Sequence, residues 1–298
     1  MAGPSTETVG SRQQGMDTWP TEELVEFLLE GQLAAVAALQ AILPDLSAAV
    51  EAMATRLDQG GRLIYAGAGA SGRIAIQDGI ELKPTYSWPA DRIHYLLAGG
   101  EAALTQSVEG AEDDAAEGQA QVDALSPSPS DILIAVAASG TTPYTIGCAQ
   151  AARKAGALVI AVASNPEAPL LKEADHPLLT ATGAEPVGGS TRMKAGTAQK
   201  IVLNILSTAA MVRLGRVFDG YMIDVVPANA KLVDRSARIV ADITDVPVEE
   251  AARLLQETGG IKPAILMAKG LSADEAAQAL AESDGNLRRA MARQQGST

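Results

Sequence analysis

Hydroxyl residues and glycines gather in two short loops, each directly after an apolar run. Arg62-Leu63-Ile64-Tyr65-Ala66 leads into Gly67-Ala68-Gly69-Ala70-Ser71-Gly72-Arg73, and Ile132-Leu133-Ile134-Ala135-Val136-Ala137 leads into Ala138-Ser139-Gly140-Thr141-Thr142. A strand feeding such a loop, with a helix after it, aims backbone N–H groups and the positive helix end at one point. That arrangement attracts an anion, above all a phosphate. Two such loops on neighbouring parallel strands would hold one phosphorylated ligand between them, at the carboxyl ends of the sheet. Gly69, Ser71, Ser139, Thr141 and Thr142 are the binding candidates that follow. A third stretch, from Gly188 to Thr197, also sets hydroxyls before a helical pattern and adds the cations Arg192 and Lys194. It brings Ser190 and Lys194 into the candidate set, while Ser190 or Thr191 could equally serve as a plain helix N-cap.

Gly67, Gly69 and Gly72 also fit the Gly-x-Gly-x-x-Gly fingerprint of dinucleotide sites. That fingerprint needs an acid at the end of the second strand, about 20 residues on, to hold the ribose. Here the second strand candidate ends Leu97-Ala98-Gly99-Gly100, and Glu101 comes later than the pattern requires. The glycines then read as makers of tight strand-to-helix turns. No nucleotide cofactor is expected.

Two regions supply carboxylates for proton transfer. Glu81 lies between Ile80 and Leu82, just before Pro84, which is read as interrupting the helix. A carboxylate partly desolvated beside a phosphosugar pocket has a raised pKa and serves as an acid or base. Glu109, Glu112, Asp113 and Asp114 form a second group, and the sequence does not choose between Glu109 and Glu112 for a second role.

The elements that must carry these residues alternate. Strand candidates at 62–66, 92–97, 132–137, 158–163 and 177–180 are separated by helical patterns, notably 143–154, where Pro143 suits a first turn. This predicts a five-stranded parallel sheet with helices on both faces, a three-layer αβα fold. An arm at 1–20 precedes a helical pattern that starts at Thr21, breaks near Pro44-Asp45 and ends near Leu57. A long helix is expected from about 194 to 214, with an apolar Ile201–Met211 face for a partner copy. The main αβα domain is read as 21–245 and a small helical appendage as 246–298, where Ser272 and Glu275 form a capping box.

Composition narrows the field. Of 298 residues, 47% are hydrophobic but only 3% aromatic, so the core must be Ala, Val, Ile and Leu. The formal charge of -13 opposes general attraction to nucleic acid or anionic membrane. Cys148 stands alone and His94 and His176 are far apart, so neither a disulfide nor a metal site is expected. No signal peptide is read at the N-terminus, and the purely apolar runs, such as 157–163, are short for a membrane span. A cytoplasmic protein is the expectation.

At these residues the chain resembles the N-acetylmuramic acid 6-phosphate etherase family, within the SIS (sugar isomerase) phosphosugar-binding group. The similar stretches are GRLIYAGAGASGR (61–73), AGGEAALTQSVEGAEDD (98–114), AASGTTPY (137–144), GGSTRMKAGTAQKIVLNILSTAAM (188–211) and DVVPANAKL (224–232). The resemblance runs from about residue 17 to the C-terminus, and STRMKAGTAQK is not a general SIS feature. It implies hydrolysis, without metal or nucleotide, of the ether joining D-lactate to C3 of the sugar. Glu81 matches the family's proton donor and Glu112 a second active-site glutamate. Ser71, Ser139 and Thr142 match positions that hold the phosphosugar. The chain departs from the family at Ala70, where Thr is usual, at Thr141, where Arg is usual, at Ile80-Glu81-Leu82-Lys83-Pro84, where Ser-Glu-Cys-Pro-Pro is usual, and at Gly10, where Asn is usual. A homodimer acting on a phosphorylated amino sugar is implied. The alternatives are an aldose–ketose isomerase of the same fold, which needs one base and no leaving-group acid, and a non-catalytic phosphosugar sensor that regulates a partner.

Overall fold

The computed structural model describes residues 5–225 and 230–295, so 226–229 of the DVVPANAKL stretch lie outside the described residues. The chain runs α1 (Thr21–Ala38), α2 (Leu43–Asp58), β1 (Leu63–Gly67), α3 (Gly69–Tyr86), β2 (Ile93–Leu97), α4 (Ala115–Leu125), β3 (Ile132–Val136), α5 (Pro143–Lys154), β4 (Leu158–Ala163), α6 (Pro169–Lys172), β5 (His176–Leu179) and α7 (Lys194–Arg213). A short hairpin, β6 (Val217–Phe218) and β7 (Tyr221–Met222), and helices α8 (Ala230–Thr244), α9 (Val248–Thr258), α10 (Ile261–Ala268), α11 (Ala273–Ala281) and α12 (Leu287–Gln295) complete it. The residues divide into two compact units, one of 1–80 with 90–208 and one of 81–89 with 209–298.

The first unit holds a five-stranded sheet of order β2-β1-β3-β4-β5. All four pairings are parallel. β1, β3 and β4 are buried along their whole length, which is why their sequences are unbroken apolar runs rather than alternating ones. On one face Ile64, Ala66, Leu133, Ala135, Val159 and Ala161 join Val122 of α4 and Tyr144, Cys148 and Ala152 of α5 in one cluster. Burial pushes the Cys148 thiol up to about 12, so it stays protonated and packs as a small apolar group.

The strand order reverses at β1 and β3, and their register is locked from below. Leu63 pairs with Ile132 and Gly67 with Val136, so the two strands end level. Just before both strands, Asp131 accepts from the backbone N–H of Arg62 at 2.7 Å, from the Arg62 guanidinium at 2.8 and 3.1 Å, and from the Ser128 N–H at 2.7 Å. Burial works to raise the Asp131 pKa, but the bonds from Arg62 and Ser128 outweigh it and hold the carboxyl at about 2.

Helix α2 buries Leu46, Ala49, Val50, Met53 and Leu57. In α1 only Ala35 is buried, while Val25, Leu29, Leu33 and Val36 stand exposed. The break between them falls at a 3-10 turn, Leu39–Ile42, earlier than expected, because Pro44 sits in the first turn of α2 where its missing N–H is tolerated. The run Thr21–Asp58 is long and apolar enough to cross a membrane by length and composition.

The second unit has its own core, in which Phe218 and Ile223 pack with Val240 of α8, Leu254 of α9, Ile265 of α10 and Leu287 of α12. It begins earlier than the 246 boundary read from sequence, because the hairpin and α8 share this core. Residues 81–89 belong to it through Arg216, whose guanidinium lies 5.5 Å from the Trp88 ring centroid, and through Ser87, which donates to the Asp224 carbonyl. Pro84 lies inside α3 instead of ending it.

The Asp131 lock sets a stability expectation. A carboxyl depressed from 3.8 to about 2 contributes stability that is full above its ordinary value and is lost as pH falls through about 2. Asp131→Asn lowers unfolding stability by about 2 kcal/mol at neutral pH in urea titrations, and the gap to wild type narrows as the pH drops below about 4.

Candidate active site

β1 ends at Gly67 and α3 begins at Gly69, which adopts a φ of +52°. The turn is this tight because of Gly72: a Cβ there would lie 2.5 Å from Leu97 Cδ1 and 2.9 Å from the Gly67 carbonyl. Gly72 N–H donates to the Ala68 carbonyl at 3.0 Å. The N–H groups before it, at Gly69 to Ser71, open the helix and have no carbonyl to bond within it.

The second loop is held from below. Asn165 donates through Nδ2 to the Ser139 carbonyl at 3.1 Å, and the Leu170 N–H donates to the Gly140 carbonyl at 3.1 Å. Ser139 Oγ accepts from the Thr141 N–H at 3.2 Å, which leaves its own hydrogen to donate outward. Thr142 stands at the N-cap of α5 but makes no capping bond, so its hydroxyl is also available.

The two loops meet across a cavity of about 500 Å³. Gly69, Ser71, Ser139, Thr141 and Thr142 all line it, together with Glu112 and Asp113. Ala70 and Thr141, two of the departures from the family pattern, line the same cavity, one from each loop. A second cavity of about 400 Å³ shares Gly69, Ala70 and Glu112 with the first and extends past Glu109 and Arg73. Arg73 holds the segment between them: its Nε donates to the Ala103 carbonyl at 2.8 Å and its Nη2 to the Gln106 carbonyl at 2.9 Å. Structure separates the acids that sequence left together. Glu112 faces both cavities, Glu109 lines only the second, and Asp114 caps α4 by accepting from the Glu117 N–H at 2.9 Å.

The third hydroxyl stretch contributes differently from expectation. Gly189 and Thr191 line the first cavity, but Ser190 and Lys194 do not. The N-terminus of α7 is filled by the buried carboxylate of Glu185, which accepts from the Lys194 and Ala195 N–H groups at 2.8 and 2.9 Å. Neither Ser190 nor Thr191 is needed as the cap. The Lys194 ammonium donates to the Ala184 carbonyl at 2.9 Å and lines a different cavity, beside Phe27 and Gly31 of α1. Glu81 is exposed on α3, within the second unit, and does not line the first cavity. Most of the Ile201–Met211 face is buried, Val202, Leu203, Leu206 and Met211 among it, leaving Ile205 exposed.

Sequence reasoning missed Glu7, which lines the first cavity from the N-terminal arm, and gave Arg73 no role. Nothing in the polar arm marks Glu7. Its position depends on a contact with the chain more than 150 residues away, the Gly189 N–H donating to the Thr6 carbonyl at 3.1 Å. Among the described residues, no three His, Cys, Asp or Glu side chains gather closely enough to hold a metal ion.

Two glycine- and hydroxyl-bearing loops that open helices at the carboxyl end of a parallel sheet, sharing one cavity, define a domain of the SIS class. Family models agree with that class: residues 45–153 match the glucokinase regulatory protein N-terminal SIS domain and residues 113–209 the SIS domain. The fold is similar to that of a candidate phosphosugar isomerase involved in capsule formation from Bacteroides fragilis, with a TM-score of 0.53 and 23% identity over 68% of this chain and 95% of that one. Closer in sequence is the N-acetylmuramic acid 6-phosphate etherase of Deinococcus radiodurans, 50% identical over 96% of this chain and 94% of its own. The etherase of Serratia proteamaculans is 44% identical over 97% of this chain and 98% of its own. The chain belongs to the N-acetylmuramic acid 6-phosphate etherase family.

Each loop hydroxyl should contribute separately to anion binding. Ser71→Ala and Ser139→Ala each weaken calorimetric binding of inorganic phosphate by about 1–3 kcal/mol, the value of one charge-assisted hydrogen bond, with circular dichroism unchanged.

Proposed function

We infer that this chain is the carbon–oxygen lyase of its family. It cleaves the D-lactyl ether of N-acetylmuramic acid 6-phosphate, giving N-acetylglucosamine 6-phosphate and D-lactate. The observation that carries the reading is the position of Glu112, a carboxylate lining the same cavity as both phosphate loops. With the sugar ring open, the C1 aldehyde acidifies the proton on C2. Glu112 removes that proton, the electron pair forms the C2–C3 double bond, and the C3–O bond breaks. The departing lactate oxygen takes up a proton, the donor role that the family resemblance gives to Glu81. Water then adds to the unsaturated aldehyde at C3, returning a hydroxyl there and a proton to C2. General acid and general base catalysis are each worth on the order of 10²–10⁴ in rate.

The test is release of D-lactate from N-acetylmuramic acid 6-phosphate by the pure protein. Glu112→Gln and Glu81→Gln keep shape and hydrogen bonding but cannot exchange protons. Each should lose ~10²–10⁴-fold in turnover while phosphosugar binding stays near wild type. Normal turnover by Glu81→Gln would remove it as the acid. An isomerase would convert aldose to ketose phosphate without releasing lactate, and a sensor would bind without converting anything.

The reading includes a homodimer in the cytoplasm. Support for the dimer is the stripe Val25, Leu29, Leu33 and Val36 on α1, spaced for one helix face, with Leu29 57% and Leu33 63% exposed. Support for the location is a single cysteine, buried as a thiol. Light scattering should give twice the mass of the chain. Leu29→Glu combined with Leu33→Glu should halve it, and a wild-type monomer at working concentration would sink the dimer.

A further inference from the structure

The N-terminal arm is bolted to the wall of the first cavity. Thr6 is fully buried, its carbonyl accepts from the Gly189 N–H at 3.1 Å, and its Oγ1 accepts from Asn165 Nδ2 at 3.5 Å. Asn165 is the same side chain that fixes the Ser139 carbonyl, so arm and phosphate loop share one support. Glu7 follows directly and lines the cavity. The close approach depends on Gly189, where φ is +75° and a Cβ would stand 2.8 Å from Glu7 Oε2. Among the described residues the Glu7 carboxylate makes no hydrogen bond or ion pair.

The charge of the cavity says what Glu7 can do. Its lining includes Glu7, Glu112 and Asp113 but neither Lys nor Arg among the described residues. A phosphate must therefore stay at the N–H and hydroxyl donors of the two loops, because a carboxylate only accepts hydrogen bonds and repels an anion. What remains for Glu7 is the uncharged part of the ligand, which is rich in donors. We propose that Glu7 is a specificity-determining residue, accepting a hydrogen bond from a hydroxyl or the acetamido N–H of the amino-sugar phosphate held by the loops. This rests on the reading of the cavity as the phosphosugar site.

Calorimetry with two probes separates the roles. Wild type binds both N-acetylglucosamine 6-phosphate and inorganic phosphate. In Glu7→Ala the sugar phosphate binds about tenfold or more weakly, the worth of a hydrogen bond to a charged group, while inorganic phosphate binds as well as before or better. Glu7→Gln, which keeps an acceptor oxygen, recovers part of the loss. Gly189→Ala, which displaces the carboxylate, should reproduce the loss for the sugar phosphate. Equal weakening of both probes in Glu7→Ala would show that the arm only props the loop, and unchanged binding of both would show that Glu7 does not reach the sugar; either result overturns the proposal. Failure of wild type to bind N-acetylglucosamine 6-phosphate would overturn the reading of the cavity and this inference with it.

Discussion

Everything at the site depends on β1 and β3 lying side by side in one register, tied at their lower ends by Asp131. The carboxylate reaches the Arg62 N–H, the Arg62 guanidinium and the Ser128 N–H at once. A slip of one residue would turn every side chain of a strand to the opposite face. It would also carry one loop above the other. Because Gly67 pairs with Val136, both strands leave the sheet at the same height. The crevice between them is the consequence of a strand order that reverses at this pair.

Above that crevice the donors and the acids come from different parts of the chain. Backbone N–H groups and hydroxyls of the two loops line the crevice, and the first loop needs Gly67 and Gly72 to let helix and strand approach. The acids arrive on other segments, Glu112 on the stretch that Arg73 grips through two carbonyls and Glu7 on the arm. The third helix start that sequence offers, at α7, is already satisfied by Glu185 from within the protein. A buried carboxylate bonded to two helix N–H groups leaves no room there for an external anion. Two helix starts with open N–H groups therefore remain at the crevice where the sequence suggested three.

The fold was legible because its signals are local. Unbroken apolar runs marked β1, β3 and β4, and Pro143 marked the start of α5 at the residue where the helix begins. That Ser71, Ser139, Thr141 and Thr142 come to one cavity was legible for the same reason, since strand, loop and helix are consecutive. The misreadings are all matters of long-range contact. Ser190 and Lys194 have the right chemistry, but Glu185 and the Ala184 carbonyl claim the groups around them. Pro84 does not end α3, and the apolar residues of α7 face mostly inward. Nothing in the sequence signals that the hairpin and α8 share a core with the helices after 246, because α8 carries no local mark of which core it joins. Glu7 was invisible because a polar arm carries no periodicity.

A first cavity lined by neither lysine nor arginine among the described residues would separate how tightly an anionic ligand is held from how fast it arrives. The chain bears a net charge of -13, so a sugar phosphate would approach against a repulsive field, with no cation among the described residues of that cavity to focus it. At low ionic strength that field reaches far from the surface and slows encounter. At physiological ionic strength it decays within about 8 Å, and the helix ends and hydroxyls then act alone over their short range. Dissolved salt should therefore speed capture by this protein, the reverse of what is seen where cationic clefts draw their anions in from a distance.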